Sequence, residues 1–214
     1  MKARFTGHDT FPLGYGWLYK AINYMNSGGK IQTSNEENTR KAIVDLGVGK
    51  NMVNAIRYWA ESTSIIDVNY TSKLIDYTVS HTGNYLFGSP DELGKDPYLE
   101  QIGSIWLIHF WLNFNSKYLS SYRYFFNHSN VQHFEKSKLL SDCKEDLRKL
   151  VSNDFGNENT LKKDIDCFLN TYCKKFKSST SKKTLQINED HFTSPLSELN
   201  LIQDNGGGFY ISDL

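Results

Sequence analysis

The chain of 214 residues carries no net charge, because 24 Lys and Arg are matched by 24 Asp and Glu. No broad positive field therefore draws it to nucleic acid, which excludes a highly basic DNA coat while leaving room for a local patch. Cysteine is scarce. Cys143, Cys167 and Cys173 form neither a C-x-x-C pair nor the framework of a small secreted domain, so they read as small buried hydrophobes in a reducing cytoplasm. A membrane-length apolar run is missing as well. The longest stretch, Ile105 to Leu112, is about half of what a span requires and contains His109, which makes it a core helix. The start, Met1-Lys-Ala-Arg, has no signal-peptide core, and no repeat of fixed period runs through the chain. The expectation is a cytoplasmic protein with no membrane partner.

Aromatic residues, by contrast, reach 14%, and most of them must be core. The periodicity predicts a mainly α protein with small β-hairpins. Residues 1–88 form an N-terminal arm and a winged helix-turn-helix lobe, 89–97 a linker, and 98–214 a helical lobe ending in a short helix and strand. In the first lobe Trp17 to Asn26 is amphipathic, and Asn35-Glu-Glu-Asn opens a helix reaching Leu46. Gly47-Val-Gly49 is a turn, and a second helix runs from Lys50 to about Ser62. Two alternating strands follow, Ile65 to Tyr70 and Tyr77 to Gly83, with Thr71-Ser-Lys73 at the hairpin tip. Tyr98 to Leu119 is apolar nearly all round, which predicts a buried helix linking the lobes. The final strand, Phe209 to Ser212, has no evident partner.

Within the helix after Gly49, Val53, Ile56 and Ala60 recur at three- and four-residue spacing, and Lys50, Asn54 and Arg57 do so on another face. One face packs while the other offers donors. Lys and Arg suit guanine edges and Asn suits adenine in the major groove, so Lys50, Asn51, Asn54 and Arg57 are candidate DNA contacts, with Lys73 on the wing for the backbone. A solvated helix face is the plainer alternative, and Glu36, Glu37, Asp45 and Glu61 offset the cations nearby.

Other motifs carry less. Gly47-Val-Gly-Lys50 mimics the end of a phosphate loop, but the spacing puts Val44 at the first glycine and Asn51 at the magnesium-binding hydroxyl. His8-Asp9 on a Gly-flanked arm suggests metal or proton-transfer chemistry, or simply a turn. A nuclease would need further acids, for which Asp96, Glu100 and Glu198 are candidates because they flank turns. His128 and His133 lack a third ligand at zinc spacing. Lys174 to Lys183 sets five lysines around one Phe, which reads as a loop with phosphate-binding capacity.

Phe5-Thr-Gly-His-Asp-Thr-Phe-Pro12 with Trp17-Leu18, and above all Leu46-Gly-Val-Gly-Lys-Asn-Met-Val53 with Ile56-Arg-Tyr-Trp59, resemble the bacterial family known as domain of unknown function four thousand and seven. Asp96 to Glu100, Trp106 to His109, Thr160 to Tyr172 and Ser194 to Ile202 extend the resemblance over nearly the whole chain. It implies a setting in DNA modification or phage defence of the phosphorothioation type. One branch of the family is SspB-like, and DNA nicking is attributed to it. Three departures stand out. Asp9 replaces an expected Glu, Gly14 to Gly16 lacks the usual Arg, and the C-terminus is shorter than the family's second winged lobe, which implies a shortened member.

The resulting expectation is a DNA-binding accessory subunit that positions other subunits of such a complex and performs no chemistry, with no cofactor and no bound metal. The alternatives are a nickase using a divalent metal with His8 and Asp9, and a winged helix that docks proteins without DNA.

Overall fold

The computed structural model describes residues 2–32, 35–70, 75–115, 118–151, 157–174 and 193–212, and in it helices dominate over short strands. After β1 (Lys2–Ala3) and the arm, α1 (Trp17–Asn26) turns Trp17, Leu18, Ala21, Ile22 and Tyr24 inward. The next helix, α2 (Glu36–Leu46), begins where the Asn35 side chain accepts the Glu37 and Asn38 N–H groups, with Glu36 and Glu37 at the positive end of the helix dipole. Gly47 stops it at φ 64, a left-handed conformation that glycine adopts without steric cost. Three residues later α3 (Lys50–Ser62) starts. The inner face expected of it is there: Val53, Ile56 and Ala60 are buried, joined by Ala55, Tyr58 and Trp59.

Behind α3, β2 (Ile66–Tyr70) and β3 (Ile75–Val79) pair antiparallel, from Ile66 opposite Val79 to Tyr70 opposite Ile75. The second strand ends earlier than its alternating pattern suggested. Ser80 accepts the Gly83 N–H at 2.9 Å and so caps α4 (His81–Phe87), which claims the residues that had looked like strand. The segment that follows is tied back onto α4, with the Lys95 and Asp96 N–H groups donating to Tyr85 and Leu86 carbonyls at 3.0 Å.

From there the chain runs through α5 (Ile102–Phe110), a π turn (Trp111–Asn115), and β4 (Tyr118–Leu119), which lies parallel to β1. The rest comprises α6 (Ser121–His128), β5 (His133–Phe134), α7 (Lys136–Leu150), α8 (Glu158–Tyr172), a 3-10 turn (Pro195–Leu199), β6 (Ile202–Asp204) and β7 (Phe209–Ile211). The last strand is not partnerless after all: β7 lies between β5 and β6, antiparallel to both. Aromatic edges knit the helices together. Trp59 of α3 meets Tyr122 of α6 at 5.4 Å, and Tyr122 meets Phe168 of α8 at 5.5 Å, both T-shaped. Buried hydrophobic residues from Phe5 to Ile202 belong to one cluster. Among the described residues no helix is long and apolar enough to cross a membrane.

The helix expected to be buried throughout, Tyr98 to Leu119, is shorter and one-sided. Its inner side packs on the Pro195–Leu199 turn and buries Ser104, Ile105, Ile108 and His109. Its outer side leaves Ile102, Trp106, Leu107 and Phe110 exposed, with Phe114 beyond them. A helix that is apolar all round does not reveal which side packs. Phe110→Ser should therefore change stability by less than about 1 kcal/mol, whereas Ile108→Ala should cost about 2–4 kcal/mol in urea titrations. Comparable losses at the two positions would mean that the outer side is covered in solution.

Candidate nucleic-acid interface

The outer face of α3 is built by helical periodicity. Lys50 and Asn51 are exposed at its start, while Asn54 and Arg57 follow half-exposed along the same side. Gly49 supplies no side-chain cap to the first-turn N–H groups, which have no acceptor inside the helix. The Arg57 guanidinium lies 5.9 Å from the Tyr77 ring centre on β3, a cation–π contact that joins the helix to the hairpin. Lys73 lies outside the described residues, as do the lysines from 175 to 183. Positive charges on α2 are already engaged: Arg40 pairs with Glu36 at 2.6 Å and Lys41 with Asp45 at 3.1 Å, exposed pairs that are worth little in stability.

The arm runs across α3 and brings His8 and Asp9 to two different places. Gly7 makes the approach, at φ 117, where a Cβ would come within 2.7 Å of the Tyr58 ring. His8 then enters the interior, 2% exposed, and its Nε2 lies 2.9 Å from Oδ1 of the fully buried Asp164 on α8. The other Asp164 oxygen accepts the Ser121 N–H at the start of α6, also at 2.9 Å. Burial works against a charged imidazole, while the Asp164 carboxylate works for one and lifts the His8 pKa above its ordinary value. Against that, the Thr10 N–H points at Nδ1 from 3.0 Å and needs a lone pair there. This donor order assigns the proton to Nε2 on a neutral ring, and charging Nδ1 requires the turn to surrender that bond.

Asp9 stays at the surface, where its Oδ2 accepts from Asn54 Nδ2 at 3.1 Å. Further along, the Phe11 carbonyl accepts from Trp59 Nε1 at 3.1 Å and from the Cys167 thiol at 3.2 Å, which pins the arm to both α3 and α8. Before the turn, Arg4 forks onto Glu61 at 2.6 and 3.0 Å and lies over the Tyr58 and Tyr118 rings at 5.0 and 5.2 Å. Burial pushes the Tyr58 and Tyr122 phenols upward, so both remain protonated donors.

The candidate acids are dispersed in role. The Asp96 carboxylate is buried and accepts the Glu100 and Gln101 N–H groups at 2.9 Å, forming the entry to α5. Glu198 pairs with Lys174 at 3.4 Å. Among the described residues no three His, Cys, Asp or Glu side chains come together as a metal-holding group. Sequence reasoning missed Asp164 and the Asp9–Asn54 contact. His8 and Asp164 stand 156 residues apart in the chain, so no local pattern joins them.

Residues 5–213 match the family described as protein of unknown function (DUF4007). Two solved structures, described as SspB and as magnesium ion-bound SspB, share the fold at a TM-score of 0.75, with 29% and 28% sequence identity. Each match covers 97% of this chain and 59% of the SspB chain, so the chain spans less than two thirds of the length of those proteins. No curated protein matches it.

Proposed function

The chain belongs to the DUF4007 family, and from that premise we propose that it is a DNA-binding accessory subunit of a bacterial DNA-modification or phage-defence complex of the phosphorothioation type. The observation that carries this reading is the outer face of α3, where Lys50, Asn51, Asn54 and Arg57 stand opposite a side closed by Val53, Ile56 and Trp59. In this reading α1 to α3 with the β2–β3 hairpin make a winged helix-turn-helix, α3 enters the major groove, and Lys73 meets phosphate from the wing. Residues 1–88 then form the DNA-facing lobe, 89–97 the linker, and 98–214 the lobe that meets the other subunits. The uncapped first turn of α3 and Lys50 suit a phosphate, and Asn54 suits an adenine edge. Zero net charge makes the grip modest, which fits a subunit that works beside others.

Lys50→Ala with Arg57→Ala should weaken binding to duplex DNA and reduce the slope of log affinity against log salt by about one for each cation that meets phosphate. A titration at two salt concentrations measures it, and an unchanged affinity and slope would remove this face. If the unaltered chain binds no DNA at low salt yet co-purifies with a neighbouring subunit, the winged helix is a protein-docking module. A nickase is the second reading, supported by the magnesium ion-bound SspB structure. Here His8 faces Asp164 while Asp9 faces Asn54, so a metal would need ligands beyond this pair. Relaxation of a supercoiled plasmid with magnesium, abolished by Asp9→Ala, would favour that reading.

A further inference from the structure

We propose that the outer side of α5 is the face by which two copies of this chain pair about a two-fold axis, independently of whether α3 meets DNA. Ile102, Trp106, Leu107, Phe110 and Phe114 point outward at helical spacing, each between 37% and 54% exposed, with Gly103 exposed among them. The rings are already fixed. Phe110 stacks on Phe114 at 4.9 Å, and Trp106 is held edge-on to the buried His109 ring at 5.5 Å, so little freedom remains to be lost on binding.

Three features select a second copy as the occupant. The first is charge. From Gln101 to Phe114 the sequence has no Asp, Glu, Lys or Arg, so the face meets itself without like charges in opposition. The second is area. Half-exposed side chains of this size present roughly 100 Å2 each, so the five leave roughly 500 Å2 of apolar surface in water, at the upper end of the patches that monomers leave open. Doubled by symmetry this reaches roughly 1,000 Å2, the threshold of a specific interface, which points to a micromolar assembly. The third is shape. A Cβ on Gly103 would meet nothing within 4 Å, so the helix surface has a hollow about two turns before the Phe110 ring. With two such helices antiparallel and the axis between Trp106 and Leu107, Gly103 of each copy lies opposite Phe110 of the other. The ring enters the hollow twice, and Trp106 closes over Leu107 between the two contacts. One patch thus supplies both projection and hollow, as an isologous contact requires.

The test is sedimentation velocity of the full chain, without nucleic acid, from about 1 µM to about 500 µM, the range in which a micromolar dimer forms. The unaltered chain should pass from monomer to dimer by mass action. Phe110→Asp places an uncompensated carboxylate in each hollow and Gly103→Gln fills it, so each should raise the dissociation constant at least about tenfold. Gly103→Gln replaces an exposed helix glycine with a better helix former. Its urea midpoint in dilute solution should therefore not fall, which separates a lost contact from a damaged fold. Val44→Gln, on the exposed side of α2, should leave the dimer unchanged. Phe110→Ser, nearly neutral in dilute solution, should cost more stability as protein concentration rises. A chain that stays monomeric throughout overturns the proposal and leaves the face to a subunit of another kind. A dimer that keeps its strength in either Phe110→Asp or Gly103→Gln uses another interface and overturns it as well.

Discussion

Asp164→Asn is expected to cost about 1–3 kcal/mol, although it removes no heavy atom from the site. The reason is that both neighbours donate. Asp164 is fully buried and accepts the Ser121 N–H at 2.9 Å through one oxygen, while the other lies 2.9 Å from His8 Nε2, which carries the ring proton. An asparagine has one accepting end, so its NH2 would face either a backbone N–H or the imidazole N–H. The usual escape is a change of tautomer that turns Nε2 into an acceptor. That escape is closed here, because the proton would move to Nδ1 and oppose the Thr10 N–H at 3.0 Å. A buried donor left without an acceptor carries its full desolvation penalty. Urea titration should show a lower midpoint with an unchanged slope. A loss below about 1 kcal/mol for Asp164→Asn would mean that the His8 proton and the Thr10 contact are wrongly assigned.

What was legible beforehand was whatever a few neighbouring residues decide. Asn35 with Glu36 and Glu37 marks a helix start, Gly47 a helix stop, and the spacing of Val53, Ile56 and Ala60 a packed face, and each appears as expected. The illegible parts depend on residues that meet only in three dimensions. The pairing of β7 with β5 and β6 leaves no trace in the tail itself. His8 looked like a partner for Asp9 because the two are adjacent, yet the left-handed turn at Asp9 and Thr10 sends one side chain inward and keeps the other at the surface. Ser80 shows a competition between levels: alternation favours a longer strand, but one capping hydroxyl converts the next residues to helix. For the candidate interface, the packed and polar faces of α3 were visible from its periodicity. The arm that lies over it was not, because its anchor sits on α8.

Acidification from pH 7 to about 4 is expected to remove about 3 kcal/mol of stability through His109 alone. The ring is 8% exposed and surrounded by edges of Trp106, Phe126 and Tyr172 at 5.5, 4.7 and 5.7 Å. Burial pushes its pKa down to about 4. Its polar contacts suit a neutral imidazole: Tyr172 Oη lies 2.8 Å from Nδ1, and Asn113 Nδ2 donates to the Tyr172 hydroxyl at 3.3 Å and to the His109 carbonyl at 2.7 Å. Between pH 6.5 and 4 the unfolded chain binds a proton that the folded chain refuses, so stability rises with pH across that window and is lost as pH falls through it. Asp96 acts lower down. Burial alone would raise its pKa, but hydrogen bonds from Ser104, Gln101, Glu100 and Leu99 outweigh it and hold the carboxyl below its ordinary value of 3.8, so its contribution fades at still more acid pH. His109→Gln should lower the plateau near pH 7, through lost packing, and flatten the limb between pH 6.5 and 4. Because His109 and Asn113 join α5 to the π turn, weakening of this cluster should appear first as faster amide exchange around Trp111. An acid limb equally steep in His109→Gln would assign the loss to other groups.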